Sequence, residues 1–96
     1  MIEVRETETY SKWFASLKDV QARARITLRV RSLSLGNAGD CKPVGKGVSE
    51  MRIHYGPGYR VYFVRRGKTV AILLGGGDKS SQKADIADAM ALARDI

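Results

Sequence analysis

The chain has little of what many small proteins rely on. It holds one cysteine, Cys41, and one histidine, His54. An internal disulfide, a cysteine-based zinc site and any centre built on a histidine pair are therefore excluded. The lone thiol fits a reducing compartment. No apolar run approaches the ~18 residues that would suggest a membrane span, and the acid-bearing N-terminus lacks the apolar segment of a signal peptide. A cytoplasmic location is the expectation. There is no internal repeat and no low-complexity segment. The glycine run Gly75-Gly76-Gly77 before Asp78-Lys79-Ser80 lacks the spacer and the Gly-Lys-Ser ending of a Walker loop. It is either a plain turn or a weaker anion site formed by free N–H groups at a helix start.

Acids are scarce relative to bases. Seventeen Lys and Arg against ten Asp and Glu leave a net charge of +7. That balance suits nucleic acid, an anionic membrane or an acidic protein as partner, or else serves solubility alone. With 44% hydrophobic and 28% charged residues the composition is that of a globular chain, and 96 residues make one domain with one modest core.

What is present centres on residues 50–65. Side chains in a strand alternate between faces, so Met51, Ile53 and Tyr55 share one side while Glu50, Arg52 and His54 share the other. After Gly56-Pro57-Gly58, Tyr59, Val61 and Phe63 fall on one side and Arg60, Tyr62 and Val64 on the other. The spacing predicts a hairpin with Tyr55 opposite Tyr59, Ile53 opposite Val61, Met51 opposite Phe63, His54 opposite Arg60 and Arg52 opposite Tyr62. One face is then apolar; the other gathers two arginines, a histidine and a tyrosine. Pro57-Gly58 suits the centre of a type II turn, within a wider loop.

Around this hairpin, Ile2 to Glu6 alternates like a short strand. Tyr10, Trp13, Phe14 and Leu17 recur at helical spacing from about Thr9, as a core face or, alternatively, as a base-stacking surface. Asp19 is a candidate N-cap for a second helix running to Leu35, before Gly36-Asn37. Its apolar residues form two stripes, one with Ala22, Ile26, Val30 and Leu33, the other with Val20, Ala24, Leu28 and Leu35. One stripe is expected on the sheet and one on the first helix. Arg23, Arg25, Arg29 and Arg31 lie between them, as a solvated face or a phosphate rail. Asn37 to Gly47 reads as a loop that carries Lys42 and Lys46 to the polar face. Thr69 to Leu74 is a central strand stopped by the glycines, and a last helix runs from about Ser80 to Ala93. The class is α+β: an antiparallel, mixed-edge four-stranded sheet with an N-terminal helical hairpin packed on it and a C-terminal helix.

A face of arginine, lysine, tyrosine and histidine can bind a phosphodiester and stabilise the charge that grows as phosphorus becomes five-coordinate. RNA brings its own 2′-OH nucleophile, so such a face need only orient, neutralise and move a proton. DNA has no such hydroxyl. No metal or cofactor is called for.

Lys42-Pro43, Ser49-Glu50-Met51-Arg52-Ile53, Gly58-Tyr59-Arg60-Val61-Tyr62-Phe63 and Gly76-Gly77-Asp78-Lys79-Ser80-Ser81-Gln82 together resemble the RelE/ParE superfamily of type II toxin–antitoxin toxins. The nearest branch is the addiction module killer proteins, related to HigB. The resemblance covers almost the whole chain. It implies a RelE-like microbial RNase fold and one of two activities: cleavage of messenger RNA on the ribosome by 2′-OH attack, or poisoning of DNA gyrase. A degenerate copy that only binds its antitoxin is a third possibility.

On the nuclease reading, Arg60 and Lys79 stabilise charge on the phosphate and His54 moves the proton. Arg52, Lys46, Lys42 and Tyr62 then hold the RNA. Lys83, Ala84 and Asp85 stand where some active members carry tyrosine or histidine, which leaves His54, Glu50 and Tyr62 as candidate proton carriers. The implied partners are a cognate antitoxin and translated mRNA, with operator DNA reached only through the antitoxin complex and no membrane.

Overall fold

The computed structural model describes residues 1–96. Strand β1 (Glu3–Glu6) opens the chain and is followed by helices α1 (Glu8–Ser16) and α2 (Val20–Ser34). Strands β2 (Cys41–Gly45), β3 (Val48–Ile53), β4 (Tyr59–Arg66) and β5 (Val70–Gly77) come next. A single 3-10 turn, Lys79–Ser81, then leads into helix α3 (Gln82–Asp95). The five strands form one mixed sheet in the order β1-β5-β4-β3-β2, with β1 parallel to β5 and every other pair antiparallel.

Three expectations about the strands and their order need correction. The sheet has five strands instead of four, because Cys41–Gly45, expected as loop, pairs with β3. Pro43 cannot donate to a ladder, which is tolerable only where one side of the strand is free; β2 is such an edge, and its register shifts between Pro43 and Gly45. The helical hairpin does not open the chain but follows β1. The glycines do not stop β5, which runs through all three. The last two lie where a side chain would collide: a Cβ on Gly76 would fall 2.3 Å from the Trp13 ring, and one on Gly77 would fall 1.9 Å from Asp85 Oδ2.

The β3–β4 pairing is displaced by two residues from the expected register. Ile53 faces Tyr59, Met51 faces Val61, Arg52 faces Arg60 and Glu50 faces Tyr62. A shift of two preserves parity, so each residue keeps its face and only its cross-strand neighbour changes. The displacement follows from the loop. Gly58 N–H bonds the Tyr55 carbonyl, which makes Gly56-Pro57 the central pair of the turn, with Gly56 at φ +57°. Positive φ followed by proline fits a type II′ turn.

The faces are covered unequally. On one, α1 and α2 bury Tyr10, Ile26 and Leu33 against Met51, Ile53, Val61, Phe63 and Leu73. Thr7 and Asp19 cap the two helices through their side chains. On the other, α3 lays Ala89 and Ala93 over Val48, Tyr62, Val64 and Leu74 and leaves the end of β3 and β4 beyond them open. The second stripe of α2 is not buried: Val20 and Leu28 are 76% and 64% exposed. Helix α1 meets α2 through other residues: Tyr10 shares the core with Ile26 and Leu33, and Phe14 lies under Arg23.

Candidate anion site

Two arginines meet on the open part of the α3 face. Arg52 and Arg60 are cross-strand partners on β3 and β4, so their side chains leave the sheet side by side. With His54, Pro57 and Lys79 they line an open hollow of about 510 Å³. Lys79 arrives from the 3-10 turn after β5, whose first residues are held by Asp78: its carboxylate accepts from Ser80 N–H at 2.8 Å. Gly77 lets that turn approach, because it pairs with Arg60 on the sheet while Asp85 and Ser81 press on its other side. The sequence thus delivers three cations to one place through two adjacent strands and one tight turn.

Like charges so close would repel, and Glu50 explains why they do not. It is two residues before Arg52 on the same face, and its side chain is fully buried. Its Oε2 lies 3.4 Å from Arg60 Nε and its Oε1 3.7 Å from Arg52 Nε. Neither contact is a well-formed hydrogen bond, and Glu50 Oε1, Arg52 Nε and Arg60 Nε have no hydrogen-bonding partner. Tyr62 Oη and Gln82 Nε2 donate to Oε2 at 3.2 and 2.8 Å. The carboxylate therefore sits beneath the guanidinium pair, orders both, and neutralises only part of their charge. Lys79 adds a third cation to the lining, which suits the hollow to an anionic group.

His54 follows the end of β3 at the rim. Its Nε2 is 2.5 Å from Asp40 Oδ2. A carboxylate can only accept, so Nε2 carries the hydrogen, and in the neutral ring the lone pair is then on Nδ1. That hydrogen bond is the main reason the Asp40 carboxyl is held below its ordinary value, with Arg52 and Arg29 assisting. Asp40 is itself positioned by α2: Arg29 donates to the carbonyls of Ala38 and Asp40, at 3.0 and 3.2 Å, and to that of Arg52. Arg29 is thus neither solvated nor a phosphate rail; it staples the loop to the sheet.

The structure therefore brings Arg52, His54, Arg60 and Lys79 together. Lys42 lies beside them, on the exposed edge strand opposite Glu50. Two other residues are placed elsewhere. Tyr62 is fully buried, and burial first, then the Glu50 carboxylate, pushes its phenol well above the ordinary value. It stays protonated and acts as a prop for Glu50. Lys46 occupies the β2–β3 turn at φ +54°, roughly 20 Å along the strand from Arg52 by the rise per residue. The sequence reading missed Asp40 and Gln82, and it placed Glu50 among proton carriers instead of under the arginines. Parity alone puts Glu50 beside Arg52; nothing local in the sequence points Asp40 at His54.

This is a small α+β scaffold with a hollow lined by Arg52, Arg60 and Lys79 at the uncovered end of its sheet. The chain belongs to the family described as Phage derived protein Gp49-like (DUF891), which matches residues 12–95, a family associated with addiction-module toxins of RelE/HigB-like type. A relative from Haemophilus influenzae, described only as an uncharacterized protein, is 43% identical over 95 residues, which cover 99% of this chain and 96% of the relative.

Proposed function

We propose that this protein is the toxin of a type II toxin–antitoxin module of the RelE/ParE superfamily. On this reading it is an endoribonuclease that cuts translated mRNA and is silenced by a cognate antitoxin. The observation that carries it is the convergence of Arg52, Arg60 and Lys79 on one open hollow with His54 at its rim. Such a lining matches a scissile phosphodiester: the cations hold the non-bridging oxygens and stabilise the charge added at phosphorus. The 2′-oxygen attacks, forming the O2′–P bond as the P–O5′ bond breaks. His54 Nδ1 takes the 2′ proton, and the 5′-oxygen leaves with a proton from water. Asp40 fixes the imidazole tautomer that this transfer needs. Lys42 would continue the RNA track along the edge strand. No step requires a cofactor.

The test is Arg60→Ala in cells that carry the inducible gene, with transcript 5′ ends mapped and protein and DNA synthesis pulse-labelled. The expected result is that the wild type cuts transcripts and stops protein synthesis first, while the variant stays folded and does neither. Full toxicity in the variant, or an early loss of DNA synthesis with intact transcripts, would overturn the nuclease reading in favour of a gyrase poison.

A further inference from the structure

We infer that the outward face of α2 is the seat of an acidic amphipathic helix supplied by a partner protein. The inference rests on the toxin reading above, which calls for an inhibitory partner. At 100° per residue, Ala22, Ile26 and Leu33 point to the core and are fully buried. Val20, Ala24, Leu28 and Leu35 come out on the opposite side of the helix, where Val20, Leu28 and Leu35 are 76, 64 and 62% exposed. Beside α1 this stripe borders a shallow groove of about 550 Å³, lined by Phe14, Val20, Arg23, Ala24, Thr27 and Leu28. Few helices of a small protein carry apolar stripes on two opposite sides with only one of them buried.

The charge around the stripe selects its occupant. Helix α2 has four arginines and no acid. Arg29 is turned inward onto backbone carbonyls, but Arg23, Arg25 and Arg31 are exposed and border the stripe or lie in it. Two of them are held in place, Arg23 over the Phe14 ring at 5.2 Å and Arg25 over the Tyr55 ring at 4.7 Å. A second copy of this chain would set arginine against arginine in a protein of net charge +7. RNA would satisfy the arginines and leave the aliphatic side chains without a partner. A membrane-surface helix keeps its cations on the polar face, clear of the apolar one, whereas Arg31 lies within this stripe. What remains is a helix with apolar residues at i, i+4 and i+7 and Asp or Glu on both flanks. The seat lies on the α1/α2 side of the sheet and reaches the rim of the arginine hollow, where Arg25 and Leu28 border a cavity shared with His54; Arg60 and Lys79 line neither that cavity nor the groove, so peptide binding and cleavage can be read separately.

The test uses the full chain and a fluorescein-labelled helical peptide of about 20 residues, with leucines at that spacing and glutamates on the flanks. A twin peptide carries lysine for every glutamate. The glutamate peptide should bind, and Leu28→Glu or Arg23→Glu should weaken it at least about tenfold with the circular dichroism unchanged. The lysine twin should not bind. Arg60→Ala should bind the peptide like the wild type while losing RNA cleavage. Equal binding of both peptides, or no effect of Leu28→Glu, overturns the seat. So does Leu28-dependent capture on phosphatidylglycerol vesicles, which would assign the face to a membrane, or a Leu28-dependent dimer in sedimentation. Peptide binding without RNA cleavage by the wild type overturns only the nuclease reading, and cleavage without peptide binding overturns only the seat.

Discussion

Glu50 Oε2 lies 3.4 Å from Arg60 Nε on the neighbouring strand, and the same carboxylate is 3.7 Å from Arg52 Nε on its own. One buried anion thus holds two partly exposed cations at the wall of the anion hollow. The arrangement links stability to function, because removing the carboxylate releases both arginines. A buried pair broken from one side costs about 3–5 kcal/mol, a large share of what a domain of this size has. Glu50→Ala should lower the denaturant midpoint accordingly. Replacing both members of the closer pair, as in Glu50→Leu with Arg60→Met, should cost less than Glu50→Ala alone, since only Arg52, whose side chain is 34% exposed, then loses its carboxylate. Equal costs in urea titrations would mean that the carboxylate does not carry the pair.

Gly77 offers a test of how the Lys79 turn is held. Its added Cβ would meet Asp85 Oδ2 at 1.9 Å and Ser81 Oγ at 2.9 Å, and neither belongs to a long flexible side chain. Gly77→Ala should therefore push α3 off the sheet and destabilise by about 1–3 kcal/mol, the usual range for overpacking. Asp85→Ala removes the colliding carboxylate, so the double variant should recover part of the loss. Thermal unfolding of the four proteins closes the cycle, and additive effects would count against the contact.

The Asp40–His54 pair gives a pH signature. Asp40 is held below the ordinary carboxylate value of 3.8, first by the His54 hydrogen bond. A folded value below the unfolded one means that the pair adds stability above pH 3.8 and loses it as pH falls through the lowered folded value. His54→Gln should return the Asp40 titration toward 3.8, read by carboxyl carbon chemical shifts. The stability gap between wild type and Asp40→Asn should close on the acid side and persist at neutral pH. An Asp40 midpoint that His54→Gln does not move would remove the orienting role.

How much of this was legible before folding depended on whether a signal was local. Face membership was: the alternation in residues 50–53 and 59–64 places Arg52 and Arg60 on one side whatever the register, and a slip of two residues changes no face. Asp19 as an N-cap was equally readable, since capping is decided within three residues. Register was not, because Gly56-Pro57 and Pro57-Gly58 are both plausible turn centres and tertiary packing chooses. The Cys41–Gly45 strand was hidden by Pro43 and Gly45, which argue for a loop unless the segment is known to lie at an edge. Arg29 and Asp40 could not be read at all, since a helix arginine reaching two loop carbonyls and one of β3 is a property of the assembled fold. The second α2 stripe was visible; only its exposure was not.

The lysines separate the positional reading from the compositional one. Lys79 lines the hollow, whereas Lys46 sits at the far turn between β2 and β3, in a left-handed conformation flanked by Gly45 and Gly47. Each cation that neutralises a phosphate of a single strand adds about 0.7 to the slope of log affinity against log salt. Lys79→Ala should reduce that slope by about one such contact and weaken binding of a short single-stranded RNA. Lys46→Asn should leave both unchanged while holding or slightly raising the unfolding midpoint, because asparagine tolerates positive φ better than lysine. The two variants remove the same charge from the same +7 total, so an equal loss of RNA affinity would show that net charge, and not the hollow beside Arg60, recruits the nucleic acid.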